Sequence, residues 1–318
     1  MPRRLNPCLR KDERGRAIDN ILEMPSWQPG IAPVAVIMIS LNEAHNMEAV
    51  LENLKGWAQE VFLLDSYSQD ETVDIALRYG VHVVQRRFRG FGDQWNFALD
   101  HLPITAPWTM KLDPDERLTD ELKANIAQAI VHGDADGLEM QRHLWFMGRP
   151  LPIRQKLNRV WHTGRCRFSE VLVNEHPIVQ GKIVFVDGDM EHHDSPNLHH
   201  WFDKQNFYTT EEAISIYQGD KLADKPKLLG SPFQRRMWFK KHYRRIPFRY
   251  ILNYIYYLII VRFWSTGYEG IAWARLRVFV RRSIEDKLRE MINLGKPMAL
   301  PERNIGQPDL RVKNYNEY

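Results

Sequence analysis

Residues 34–40 (VAVIMIS) are an unbroken apolar run, the pattern of a β-strand buried on both faces. Behind it Met47, Val50, Leu51 and Leu54 recur at helical spacing and predict an amphipathic helix. The same unit then repeats. A strand is predicted over 60–65 (EVFLLD), then a turn rich in capping residues (SYSQDET), then a helix burying Val73, Ala76 and Leu77. A third strand is predicted over 81–85, a helix over 91–101, a fourth strand over 108–113, and a helix lined by Leu122, Ile126 and Ile130. Strand and helix alternating four times in about 100 residues predict a parallel, doubly wound α/β sheet with right-handed crossovers.

Sheets of this kind bind ligands at the carboxyl ends of their strands. Here those ends carry Ser40-Leu41-Asn42-Glu43, Asp65-Ser66 and Asp113-Pro114-Asp115-Glu116. An extended chain through 113–115 would turn Asp113 and Asp115 to one side and Pro114 to the other. Two carboxylates so placed repel each other unless a cation or a proton lies between them. Acidic residues also favour the N-terminus of a following helix, but that reading accounts for the third cluster alone. No G-x-x-x-x-G-K-[ST] loop and no G-x-G-x-x-G follows the first strand, which disfavours P-loop NTPases and dinucleotide binders. Paired carboxylates without a phosphate-cradling loop point to a metal held by oxygen, Mg²⁺ or Mn²⁺.

Composition adds less. The 318 residues are 44% hydrophobic and 26% charged, which fits one large domain with an appendage, or two domains. Cys8 and Cys166 stand far apart, which argues against a disulfide framework or structural zinc and fits a reducing compartment. Residues 1–31 form a basic extension without the apolar core of a secretory signal. The net charge of +4 is unevenly placed. Residues 235–249 (RRMWFKKHYRRIPFR) hold Arg235, Arg236, Lys240, Lys241, Arg244, Arg245 and Arg249 with no acidic residue, a face for solvent, phosphate or anionic lipid. The apolar run that follows, 250–261 (YILNYIYYLIIV), is shorter than the ~20 residues needed to cross a bilayer. It reads either as a buried core helix or as an interfacial one. Trp238, Phe239 and Tyr243 among the cations favour the interface.

Several ordered motifs carry a resemblance. The stretch from Ile37 to Gly80 resembles the opening of family 2 glycosyltransferases, with N-E after the first strand and D-S-x-S-x-D-x-T after the second. MKLDPDERLTDEL resembles their metal-binding D-x-D and the helix behind it. The segment 87-RFRGFGDQWNFAL-99 is similar to the G-F-G-x-Q-x-N-x-A-L of one subgroup, the lipopolysaccharide-core heptose β-1,4-glucosyltransferases. The order continues through 173-VNEH-176, the histidines before Ser195, and 201-WFDKQNFYTTEEA-213. Trp95, where that subgroup usually has Arg, and Asn174, where it commonly has His, are departures.

The resemblance implies a GT-A core over 32–198 and a helical, membrane-facing region over 199–318. It implies inverting, metal-dependent transfer of a sugar from a nucleotide diphosphate donor, a UDP-sugar, to a hydroxyl of a glycan or glycolipid in envelope polysaccharide or lipopolysaccharide synthesis. The expected place is the cytoplasm, peripheral on the inner membrane face, with an anionic membrane surface as partner and no nucleic acid. Ser40, Asn42, Glu43 and Asp65 would contact base and ribose, with Asn96 and Asp113 as further donor contacts. Asp113 and Asp115 would hold Mn²⁺ or Mg²⁺ against the diphosphate, His192 would complete that site, and Lys204 would reach a phosphate. Glu175 would be the general base, while Ser66, Ser68, Asp70 and Thr72 organise the second turn. Two rivals remain. A nucleotidyltransferase would carry a Gly-rich basic loop near the first strand. A non-catalytic protein binding membrane or nucleic acid through 235–249 would have no use for Asp113 and Asp115.

Overall fold

The computed structural model describes residues 25–169, 176–219, 227, 229, 234–235, 238, 242–243, 246–299 and 306–315. They divide into two compact units. The first holds the described residues up to 142, together with 156–190 and 306–315; the second holds 143–155 and those from 191 to 299.

In the first unit β1 (Ala32–Ser40), β2 (Ala58–Asp65), β3 (His82–Gln85) and β4 (Trp108–Lys111) alternate with α1 (Ala44–Leu54), α2 (Thr72–Arg78) and α3 (Phe91–His101). After β4 come β5 (Glu116–Leu118), α4 (Asp120–His132), β6 (Gly137–Phe146), β7 (Arg149–His162), the small antiparallel pair β8 (Cys166–Phe168) and β9 (Pro177–Val179), and β10 (Ile183–His193). A last strand, β11 (Lys313–Asn314), lies at the sheet edge. The order is β11-β3-β2-β1-β4-β7-β6-β10-β5, parallel from β11 to β4 and antiparallel between β4 and β7.

The apolar run of β1 is buried on both faces because each face meets its own core. Val34, Val36 and Met38 join one cluster with α1, α2 and α4, whereas Ala35 and Ile37 join another with Trp95, Phe97 and Ala98 of α3. The alternation repeats along β2, with Val61 and Leu63 on the first side and Phe62 and Leu64 on the second. The chain steps outward through β1, β2 and β3 and then returns across α3 to β4 on the other side of β1. The carboxyl ends of β1 and β4 are therefore the switch point where such sheets form their ligand crevice.

Two expectations are corrected here. The fourth strand stops at Lys111 rather than 113, because Glu116 N–H closes a turn onto Asp113 O at 2.9 Å with Pro114 in its second position. A turn, not strand alternation, therefore sets Asp113 and Asp115. Those acids do not cap α4 either: Thr119 does, its hydroxyl accepting from Leu122 N–H at 3.3 Å. The region 199–318 is also not wholly helical, since 306–315 belongs to the first unit and its β11 pairs in parallel with β3. Cys166 is buried, and burial pushes its thiol up to about 12.

The second unit contains α5 (Leu198–Gln218), α6 (Arg249–Ile255), a π-turn over 256–260, a 3-10 turn over 263–266 and α7 (Tyr268–Leu294). Phe146, Trp201 and Trp273 meet edge to face at its centre, with ring centroids 4.8–6.4 Å apart. The run 250–261 is split lengthwise. Tyr254, Tyr257 and Val261 pack on that core, while Ile251, Leu252, Ile255, Tyr256, Ile259 and Ile260 are exposed. Of the seven cations of the basic run, only Arg235 and Arg249 are described. Among the described residues no helix is long and apolar enough to cross a membrane.

Candidate active site

The turn after β2 reaches across to the loop after β1. Asn42 N–H donates to Ser68 Oγ (2.8 Å), Glu43 N–H to Thr72 Oγ1 (2.8 Å) and Ala44 N–H to Asp70 Oδ2 (3.1 Å). The capping residues of SYSQDET thus serve α1, and Asp70 also serves α2, its Oδ1 accepting from Thr72 N–H at 3.0 Å. Asn42 holds the left-handed conformation (φ 58°), which asparagine tolerates better than most, and its Oδ1 accepts from Gln69 N–H at 2.8 Å. With these amides occupied, the start of α1 has no free anion cradle, in keeping with the missing P-loop. The Glu43 carboxylate accepts from Asn46 Nδ2 at 2.9 Å and lies 3.8 Å from His45.

Asp65 is buried beneath this loop. Its carboxylate accepts from Ser40 Oγ (2.9 Å), Ser68 N–H (2.9 Å), Ser68 Oγ and Gln85 Nε2 (2.8 Å). In this structure Asp65 therefore orders both strand-end loops, and Ser40 turns inward to it. The end of β3 adds a cluster that the sequence reading missed. Arg86 is buried, donates to Asp93 and to Gln94 Oε1 (2.5 Å), and lies 4.6 Å over the Phe97 ring. Gln94 in turn donates to Ser66 Oγ at 3.2 Å. The signal was present in GFGDQWN, whose acid and amide face a cation just before the helix. Asn96 uses both ends of its amide on the Phe168 backbone, donating to O (3.0 Å) and accepting from N–H (2.8 Å), and so ties α3 to β8. Trp95 presents its ring to buried Lys111, whose Nζ is 4.6 Å from the centroid, a cation–π contact inside the fold.

The acidic turn after β4 is built on charge. Glu116 is wholly buried and bonds Arg159 Nη2 at 2.5 Å, with Arg142 Nη1 at 3.4 Å; its Oε2 also accepts from Asp113 N–H at 3.0 Å. The same Arg159 nitrogen bonds Asp113 Oδ2 at 3.0 Å, yet the Asp113 side chain stays 31% exposed. Burial alone would raise the Asp113 pKa, but Arg159, Lys111 and Arg142 outweigh it and hold the carboxyl well below the usual range. Glu116 is shifted the other way: burial and the charges of Asp113 and Asp115 raise its pKa against the pull of Arg159. Asp115 is half-buried in the same turn. The result is a carboxylate that stays ionised and accessible at the switch point, with a buried guanidinium behind it. Arg159 was not foreseen, because its partner lies 43 residues away.

The remaining described candidates lie in the second unit. His192 and His193 end β10, and His193 Nε2 lies 3.0 Å from Glu191. Lys204 on α5 donates to Asp194 Oδ1 at 2.9 Å and to its carbonyl at 3.2 Å. His199 pairs with Asp203 at 3.5 Å. Glu175, with the strand read over 171–173, lies outside the described residues.

A Rickettsia felis protein named as an uncharacterized glycosyltransferase is 25% identical over 88% of this chain and 98% of its own length. The lipopolysaccharide core biosynthesis glycosyltransferase LpsC of Rhizobium meliloti is 25% identical over 65% of this chain and 81% of its own. Among solved structures, S. aureus TarS in complex with UDP-GlcNAc aligns with a TM-score of 0.42 at 13% identity, over 85% of this chain and 94% of that one. The Glycosyl transferase family 2 profile matches residues 35–263, from β1 through α6 and across every strand-end loop described above. The protein is a glycosyltransferase and belongs to glycosyl transferase family 2.

Proposed function

We propose that this chain is an inverting, metal-dependent enzyme that moves a sugar from a UDP-sugar to a hydroxyl of a glycan or glycolipid in lipopolysaccharide or related envelope synthesis. The observation that carries the reading is the ionised, accessible Asp113 between the ends of β1 and β4, backed by Arg159. The LpsC relative supports the envelope acceptor.

The donor's nucleoside lies against Asn42 and Glu43, whose loop is fixed through Ser40, Asp65 and Ser68. Asp113 and Asp115 suit a hard divalent cation: both offer oxygen only, and Asp113 is kept deprotonated. They would hold Mn²⁺ or Mg²⁺, with His192 as the further ligand that the family resemblance supplies. The ion, when bound, neutralises charge on the departing diphosphate. Lys204 adds positive charge toward a phosphate, and Glu175 removes the proton of the acceptor hydroxyl, a contribution typically about 10²–10⁴-fold in rate. The test is a screen of nucleotide sugars with Mn²⁺ that follows UDP release, run on wild type, Asp115→Ala and Glu175→Gln. Asp115→Ala should abolish turnover with its fold intact. Glu175→Gln should keep donor affinity and lose rate. Full activity in Asp115→Ala sinks the metal assignment, and release of pyrophosphate instead of UDP would favour a nucleotidyltransferase.

The exposed stripe Ile251, Leu252, Ile255, Tyr256, Ile259 and Ile260 recurs at helical spacing and continues to Trp264 and Tyr268. It supports an interfacial rather than a core role for this segment, lying on an anionic membrane surface beside the basic run. The protein should float with anionic liposomes and come off as salt rises. Equal binding to neutral vesicles would remove the basic run's role, and no binding at all would remove the membrane reading.

A further inference from the structure

We propose that residues 306–315 act as a strap that positions the nucleoside wall of the site; the inference rests on the donor reading above. These residues form more than an extra edge strand. Gly306 N–H donates to Tyr67 O at 2.9 Å, and a Cβ at Gly306 would lie only 2.9 Å from that same oxygen and from Gln69 Cγ, so glycine alone fits the approach. Tyr67 Oη donates to Asn314 Oδ1 at 2.6 Å. The strap therefore grips both the backbone and the side chain of Tyr67, a buried residue held at φ 64°, an unfavourable conformation for a bulky side chain. Tyr67 sits between Ser66 and Ser68, inside the turn that fastens Asn42, Glu43 and Ala44.

The second grip is on Gln85. Asp309 N–H donates to Gln85 Oε1 at 2.6 Å, while Gln85 Nε2 donates to Asp65 at 2.8 Å. A side-chain amide has one accepting and one donating end. The strap's N–H demands the accepting end, so the donating end must face the Asp65 carboxylate. Without Asp309 the amide can rotate and turn its oxygen toward that charge. Arg311, paired with Asp74 of α2 and with Asp309, and the Tyr315 ring, 5.6 Å from Phe97, hold the strap in place. Order thus passes from 306–315 through Tyr67 and Gln85 to Asp65 and Ser68, and from there to the loop proposed to bind the nucleoside. Tyr67 and Gln85 are positioning residues, since neither is proposed to touch the donor.

The experiment uses the full chain with Gly306→Val and, separately, Tyr67→Phe. It measures binding of uridine and of UDP with and without Mn²⁺ by calorimetry, melting temperature, and hydrogen exchange at amides 42–44. Gly306→Val should weaken uridine and UDP by the same factor, about tenfold or more, and Tyr67→Phe by about threefold, the scale of one lost hydrogen bond. The gain that Mn²⁺ gives UDP over uridine should not change, because the acidic turn is untouched. Exchange at amides 42–44 should quicken in both variants. Wild-type affinity with a lowered melting temperature would overturn the proposal, as would weakening of UDP alone. If wild type binds neither ligand, the donor reading fails by itself. The exchange measurement then decides the strap: unaltered protection at 42–44 in Gly306→Val overturns it.

Discussion

Asp65 ends one of the two strands that flank β1 and Asp113 follows the other, and the fold treats them in opposite ways. Asp65 is buried among neutral donors, the hydroxyls of Ser40 and Ser68, a backbone N–H and the Gln85 amide. Asp113 is answered by a cation, Arg159, and keeps part of its surface open. Neutral donors that fill a buried carboxylate leave it a piece of architecture. A buried cation behind a partly open carboxylate keeps it ionised without closing it. The kind of partner and the residual exposure together separate an organiser from a candidate ligand, which a count of hydrogen bonds would not.

Five substitutions can break or sharpen that contrast. Asp113→Asn should cost the most in activity, roughly 10³-fold in turnover if it removes several kcal/mol of electrostatic stabilisation, and should cost less stability than Arg159→Met because Glu116 still answers the guanidinium. Asp65→Asn measured beside it should lose mainly stability. A comparable loss of turnover at unchanged stability in Asp65→Asn would erase the distinction. Arg159→Met takes the bonded guanidinium from both Asp113 and Glu116, leaving Glu116 only Arg142 at 3.4 Å, and should cost about 3–5 kcal/mol at neutral pH. The pH dependence has a definite sign. In wild type the depressed Asp113 pKa contributes stability above the ordinary carboxylate range, and that contribution fades as pH falls through and below it. In the variant the buried acids bind protons more readily folded than unfolded, so their cost is present above that range and disappears on acidification. The two denaturation curves should converge as pH falls, and a constant gap would contradict the charge argument. Ser68→Ala takes one donor from Asp65 and the acceptor from Asn42 N–H, and should cost about 1–3 kcal/mol. That loss, unlike the one at Arg159, should vary little between mildly acidic and neutral pH in urea unfolding. The smallest effect is expected at Thr119→Ala, which removes the α4 cap beside the acidic turn. About 1 kcal/mol should be lost with turnover intact, and a large activity loss there would mean that the turn depends on the helix behind it.

The doubly wound half of the molecule was legible because its strands are buried on both faces and its helices on one. Residues 91–101 form α3 as read, and β1 gains two residues at its start. What escaped lacked a local signal. Leu138 and Met140 alternate in β6, but its partner β7 carries two prolines and is buried only at Leu151, Arg159, Val160 and Trp161, so the pair does not read as a ladder. β11 is two polar residues, held by backbone pairing and side-chain bonds rather than by hydrophobicity. Within the site, the residue types of 65–72 gave away their capping role, but not that they also serve amides at the start of the previous helix. Arg159 stood in a polar stretch with nothing to mark it, and only the folded chain brings it under Asp113 and Glu116. The part of the site that sequence displays is its anionic face. The cationic floor beneath it comes from the strand topology.

The edge pairing of β11 also has a consequence in time. Asp309 lies 224 residues beyond Gln85, so a ribosome adding about 5–20 residues per second needs roughly 10–45 s to supply the cover for β3 after that strand has been made. Through that interval His82-Val83-Val84-Gln85 presents unpaired backbone groups on its outer side, the kind of rim that recruits strands from other chains. The nascent protein is therefore most exposed to mispairing late in its own synthesis, and holding chains apart on crowded polysomes should matter more for its yield than the stability of the finished fold.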